Sequence, residues 1–363
     1  MRMIILGRYN DWGKNNSRII SFFARSGRPY SFSIATAVYR ILPMNTDLTP
    51  FLEAGFNGIN LSILDSMDEY HTDYDNLDSV CVATLQNYGN TLMPLLLHYT
   101  SHRRYSSMTA FDSSFDAVFF TFLPNIFIHY NVVVSWIIIA VFILAFIALL
   151  VFLIKTKKIR PKKLIASPLI WVALIGVAAL FGLLFSVILA ASFSVPFYFM
   201  ATRFISFTGG FTIIFSVLTI IGSLALMLLT KKIKLNQTEK TLSGLLPILL
   251  FLIVSSFALH GATYLFIWPL IFASSGLAAD FIKNQKAKKA LNITANILLI
   301  LFTIPVFFTV IYAFLLAMTI GALAIMLPLA VIGLMAVTPA VSTLYREIAE
   351  KGEVRTEKEC LNL

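Results

Sequence analysis

The sequence predicts a multi-span α-helical membrane protein of about seven helices, preceded by a partial α/β domain. Three observations predict it. The 363 residues are 58% hydrophobic and only 13% charged, against about 45–50% apolar and about 25% charged in a soluble domain. The apolar residues are concentrated between positions 131 and 345. The basic residues gather in the gaps between the apolar runs, the pattern that orients a membrane protein.

Residues 1–130 read as mixed α/β. Residues 30–34 alternate in part between polar and apolar and predict a strand. Residues 58–64 (GINLSIL) form a short apolar run after a turn signal and predict a buried strand. Residues 76–99 predict a helix, because Cys81, Leu85, Tyr88, Leu92, Leu96 and Tyr99 recur at steps of three and four. Such a stripe is expected to face a core. Between strand and helix lies a polar loop, residues 70–78, holding one histidine, His71, among Asp73, Asp75 and Asp78. Loops at strand ends are where α/β folds place ligands. A neutral imidazole ligates zinc, and a nearby carboxylate can fix its tautomer; a lone loop histidine is more often simply solvated. A second polar cluster, residues 43–51 (PMNTDLTPF), puts Asp47 where it can cap a short following helix.

A helix needs about 20 apolar residues to cross the hydrocarbon layer. Residues 131–154, 164–194 and 204–230 each meet that length. Residues 241–279 are too long for one span and divide at His260-Gly261; residues 290–345 divide near Met318 to Gly321. Seven spans result, followed by a tail, residues 346–363. Pro269, Pro305, Pro328 and Pro339 are candidate kinks. Lysines and arginines follow the first, third, fifth and seventh spans, while the other loops hold little beyond Arg203. Residues 1–130 are therefore expected outside and the C-terminus in the cytoplasm. Cys81 and Cys360 then lie on opposite sides and cannot pair.

The net charge of +10 resides in these loops, which argues against nucleic acid as a partner. The lipid bilayer is the expected one. The span centres carry no Asp, Glu, Lys or Arg. Ion paths and proton relays usually need such groups, so a transporter-like bundle is the weaker reading. His260 is expected to be an interfacial histidine.

Taken together, residues 42–51, residues 53–60, and Tyr70-His71-Thr72 with Asp75 and Asp78 resemble the last third of a zinc metallopeptidase domain of the aminopeptidase Y and glutaminyl cyclase family. Residues 116–120 (DAVFF) and 262–269 (ATYLFIWP) resemble its vacuolar-membrane-protease and endoplasmic-reticulum-metallopeptidase branch, in which an extracytoplasmic peptidase domain precedes a multi-span region. The resemblance implies that His71 is a ligand of a two-zinc site and that Asp47 orients the substrate. It implies hydrolysis of a peptide bond near an N-terminus, with metal-bound hydroxide as nucleophile. The family's other ligands and its catalytic glutamate precede the matching residues, and residues 1–33 hold no His, no Glu and only Asp11. A catalytic zinc site typically uses three protein ligands. The chain is thus expected to be catalytically incomplete alone, to be completed by a separate chain supplying the missing half-domain, or to serve as a non-enzymatic membrane binding or assembly protein. A parallel sheet cut in its middle would leave a long edge strand, which disfavours the last reading.

Overall fold

The computed structural model describes residues 2–7, 15–39, 46–63, 72–107, 109–199, 210, 214, 217 and 235–361. The N-terminal part contains β1 (Arg2–Gly7), α1 (Ser17–Phe23), α2 (Ser33–Tyr39), α3 (Thr49–Glu53), β2 (Gly58–Ile63), α4 (Val82–Ser101), β3 (Ala117–Leu123) and β4 (Ile126–Asn131). The helices that follow are α5 (Val132–Lys155), α6 (Pro161–Ser192), α7 (Gln237–Ala258), α8 (Thr263–Ala278), α9 (Gln285–Met318) and α10 (Leu323–Leu361).

The strand expected after residue 58 forms, but its partner is β1 and the pairing is antiparallel, with Gly7 opposite Gly58 and Arg2 opposite Ile63. The strands β3 and β4 make a second antiparallel pair joined by a tight turn. The parallel sheet assumed from the sequence is not found among the described residues. The strand expected at residues 30–34 is also corrected. Only Phe32 makes a bridge, to Phe120, and the chain turns into α2 at Ser33. Beside that bridge the Ser31 carbonyl accepts the Thr121 N–H at 3.1 Å, while the Ser31 N–H donates to the Thr121 hydroxyl at 3.0 Å.

The predicted helix at 76–99 is a 3-10 turn, Leu77–Ser79, followed by α4. Its apolar stripe is not core. Leu85 is 58% exposed and Leu96 55%, and the buried positions are Thr91 and Leu95. Leu95 enters a small core with Ile20, Phe23, Tyr105 and Phe119. The stripe lies beside that buried face, and nothing among the described residues stands over Gly89 within 4 Å.

The strand β3 joins the two parts of the molecule. Side chains alternate across a strand. Val118 and Phe120 enter the core of the helical bundle, while Ala117 and Phe119 enter the core under α1 and α4. The ring of Phe120 stacks on Tyr264 of α8 at 4.5 Å between centroids and 7° between planes. The sequence segments at 116–120 and 262–269, read separately as features of one branch, therefore touch.

Among the described residues five stretches are long and apolar enough to cross a membrane: Val132–Lys155, Ser167–Ser192, Gln237–Ala258, His260–Phe281 and Gln285–Leu344. The span expected at residues 204–230 lies outside the described residues, apart from Gly210, Ile214 and Val217, which are helical. The turn His260–Ala262 divides α7 from α8 where the sequence placed a break. The turn Thr319–Ala322 divides the last stretch into α9 and α10, and Thr319 turns the chain at φ 49°. The Ser186 hydroxyl on α6 donates to the Ile320 carbonyl at 2.5 Å, which also accepts the Leu323 N–H. The prolines 269, 305, 328 and 339 all lie within helices. On α5, Ile139, Phe142, Phe146, Leu149 and Leu153 form the buried stripe, while Ile137, Val141, Leu144, Ile147 and Val151 are exposed. Apolar groups on both faces are what a helix in lipid requires.

The basic loops share one end of this bundle. The backbone N–H and Nε of Arg160 donate to Glu239 Oε1 at 2.9 and 2.7 Å, and Arg160 Nη2 donates to Glu239 Oε2. Glu239 also completes a capping box with Asn236 at the start of α7. Asp280 receives Lys158 at 2.6 Å and Lys288 at 2.7 Å. Gln237 reaches the Pro339 carbonyl at 3.1 Å. The turn His260–Ala262 and the N-terminal residues lie at the other end.

Candidate functional site

The residues expected at a peptidase site are not assembled among the described residues. His71 lies outside them, so its surroundings are not described. Asp47 is exposed in the turn before α3. It does not cap that helix: Leu48 occupies the cap position without a side-chain bond. The Thr49 hydroxyl instead accepts the Thr46 N–H at 2.9 Å. That bond ties the residue before the turn to the first residue of the helix and leaves Asp47 facing solvent. Asp73, Asp75 and Asp78 are exposed in the loop before α4. The Asn76 side chain orders that loop by accepting the Asp78 N–H at 2.9 Å. Among the described residues no three His, Cys, Asp or Glu side chains are grouped to hold a metal ion. The described donors therefore do not by themselves fit a zinc site.

A different polar site is built at the seam between the N-terminal part and the bundle. A cavity of about 200 Å³ is lined by Asn16, Ser33, Thr36, Asp116, Leu259 and His260, with Val118, Phe119 and Val132 on its apolar walls. Its parts come from four places in the sequence. Asn16 precedes α1, and its Oδ1 accepts the Ala117 N–H at 2.9 Å. Ser33 begins α2; its hydroxyl donates to the Gly261 carbonyl at 2.6 Å and accepts the Phe119 N–H at 3.2 Å. Thr36 stands one turn further on, and Asp116 immediately precedes β3. His260 sits in the turn between α7 and α8, with its Nδ1 at 3.0 Å from the Ser256 carbonyl.

The close approach here depends on Gly261. A Cβ at that position would lie 2.7 Å from the Ser33 carbonyl oxygen. Sequence reasoning noted His260 only as an interfacial residue and Asp116 only as part of a resembling segment. It missed Asn16, Ser33 and Thr36, and no local pattern marks them, because their partners are distant in the chain.

The sequence profile of peptidase family M28 matches residues 3–96. That match ends within α4 and leaves β3, β4 and the bundle outside it. The endoplasmic reticulum metallopeptidase 1 of Mus musculus is 26% identical over 112 residues, covering 28% of this chain. The match takes in 12% of that relative's own length. No solved structure matches the chain. The chain resembles the membrane-associated zinc peptidases of family M28, and the resemblance is carried by its N-terminal part.

Proposed function

We propose that this chain is a membrane-anchored component of a zinc-dependent exopeptidase of the aminopeptidase type. The observation that carries the reading is the family match over residues 3–96, the stretch that contains both Asp47 and His71. On this reading His71 is a zinc ligand and Asp47 orients the peptide. The described donors do not reach the three ligands typical of catalytic zinc, so other groups complete the site. The exposed apolar stripe of α4, inside the matched stretch, is the surface that a separate chain supplying those groups would cover.

Residues 1–130 are proposed to be extracytoplasmic or lumenal, residues 131–345 to span the membrane, and residues 346–363 to be cytoplasmic. The supporting observation is the gathering of Lys158, Arg160 and Lys288 at the end opposite the N-terminal part, since Lys and Arg are retained inside. With sealed membranes, a membrane-impermeant maleimide applied to the cytoplasmic face is expected to label Cys360 and to spare Cys81, and applied to the opposite face to label Cys81 and to spare Cys360. The reverse pattern overturns the orientation.

Zinc content of the purified, detergent-solubilised chain tests the enzymatic reading, with His71→Ala as control. Stoichiometric zinc that is lost in the variant, together with aminopeptidase activity on adding the completing chain, supports it. Zinc retained in the variant, or absent from both proteins in every preparation, removes His71 from the site and leaves a non-enzymatic membrane binding or assembly role.

A further inference from the structure

Among the described residues, two buried polar atoms on side chains that line the seam cavity have no protein partner: His260 Nε2 and Thr36 Oγ1. Thr36 is only 3% exposed. Buried polar groups are normally hydrogen-bonded, so two of them in one cavity point to an occupant.

The chemistry of the lining restricts that occupant. The Ser256 carbonyl can only accept, so its contact with His260 Nδ1 places the ring proton there. Nε2 then carries a lone pair. The Asn16 carbonyl oxygen is engaged by Ala117, and the Ser33 hydroxyl by Gly261 and Phe119. What remains for an occupant is three acceptors, the imidazole lone pair, the Thr36 hydroxyl oxygen and the Asp116 carboxylate, with the amide N–H groups of Asn16 beside them. A carboxylate has about four lone-pair sites, so Asp116 keeps capacity whatever else it holds. Among the described residues the lining contains no Lys or Arg. The occupant must bring N–H or O–H donors, and positive charge suits it.

A metal ion is the poorer fit. One imidazole and one carboxylate fall short of the three or four protein ligands that zinc sites use. A primary ammonium carries three donors, the same as the number of acceptor groups on offer. We propose that this cavity binds a small primary amine. Its ammonium donates to His260 Nε2, the Thr36 hydroxyl and the Asp116 carboxylate, and its carbon atoms lie against Val118, Phe119 and Val132. The site is independent of the peptidase reading, because neither Asp47 nor His71 lines it.

The test uses the full chain in detergent with methylammonium chloride as the probe. Tetramethylammonium chloride is the control: it has the same charge and no N–H donor. Binding is read by equilibrium dialysis with labelled methylammonium and by the thermal shift. Methylammonium is expected to bind and to raise Tm, and tetramethylammonium to do neither. Thr36→Val and His260→Phe are each expected to weaken binding by about tenfold or more, as loss of a hydrogen bond to a charged group does. Thr36→Ser is expected to restore it. The ligand-free Tm and elution volume report folding; if His260→Phe does not fold, the isosteric Thr36→Val and its Ser counterpart decide the matter. The proposal is overturned if methylammonium does not bind, if tetramethylammonium binds equally well, or if the folded variants bind like the parent. Zinc binding that needs His260 while methylammonium fails overturns it in favour of a metal site.

Discussion

Replacing Gly261 by alanine tests whether the N-terminal part is fastened to the bundle at the seam. The new Cβ would stand 2.7 Å from the Ser33 carbonyl oxygen and 3.0 Å from its carbon. Both are backbone atoms, so no side chain can swing away to make room. If the two segments stay together, the site is overpacked, which costs about 1–3 kcal/mol. If they separate, the bond from Ser33 to Gly261 is lost and the bond from Phe119 to Ser33 is loosened, at about 1 kcal/mol each. Either route predicts destabilisation of about 2 kcal/mol. The assay is equilibrium unfolding of the detergent-solubilised chain, followed by the fluorescence of Trp136 and Trp268, which flank this end of the bundle. Gly89→Ala is the matched control. It lies inside α4 with nothing within 4 Å of the added methyl, and it is expected to stabilise by about 1 kcal/mol through helix propensity alone. A Gly261→Ala protein as stable as the parent would mean that the seam is not closely packed, and would refute the reasoning.

Other perturbations probe separate parts of the fold. Ser186→Ala removes the hydroxyl that bridges α6 to the Ile320 carbonyl and is expected to cost about 1 kcal/mol, the scale of an interhelical hydrogen bond in a membrane; no loss in an unfolding titration would mean the turn Thr319–Ala322 is held by packing alone. Tyr264 is fully buried and its hydroxyl has no partner among the described residues, so Tyr264→Phe is expected to leave Tm unchanged or raise it, and a marked fall would reveal a bound partner at that oxygen. Burial of His129 on β4 holds its pKa below 6.5. The folded chain therefore binds fewer protons than the unfolded chain as pH falls through 6.5, and stability is lost in that direction. His129→Phe is expected to flatten the slope of Tm between pH 7 and 5, and an unchanged slope would assign it elsewhere.

Much of the membrane half was legible in the sequence because lipid and chain length impose simple rules. The breaks at His260 and near Met318 fell where uncharged runs exceeded one span, and both are turns in the structure. The alternation of lysines placed the basic loops on one side, and Lys158, Arg160, Glu239, Asp280 and Lys288 do meet at one end. The family resemblance was legible too, since residues 42–60 and 70–78 carry it as local motifs. The N-terminal part was read less well. Periodicity showed that Leu85, Leu92 and Leu96 share a face of α4, but not that this face would stand uncovered by the described residues while Leu95 took the core position. Alternation at residues 30–34 identified an extended segment, but not that it would make a single bridge at Phe32 and turn into a helix at Ser33.

The sequence by itself determined that this chain crosses a membrane several times, where those crossings break, and which zinc-peptidase family its N-terminal part resembles. Each of those follows from composition or from residues close together in the chain. Only the tertiary structure decided that Asn16, Thr36, Asp116 and His260 surround one cavity. The bond between Ser33 and Gly261 closes over 228 residues, and no local pattern encodes a contact across that distance. It arises because β3 is apolar on both faces and can be buried only between two layers, which draws the N-terminal part down onto the end of the bundle.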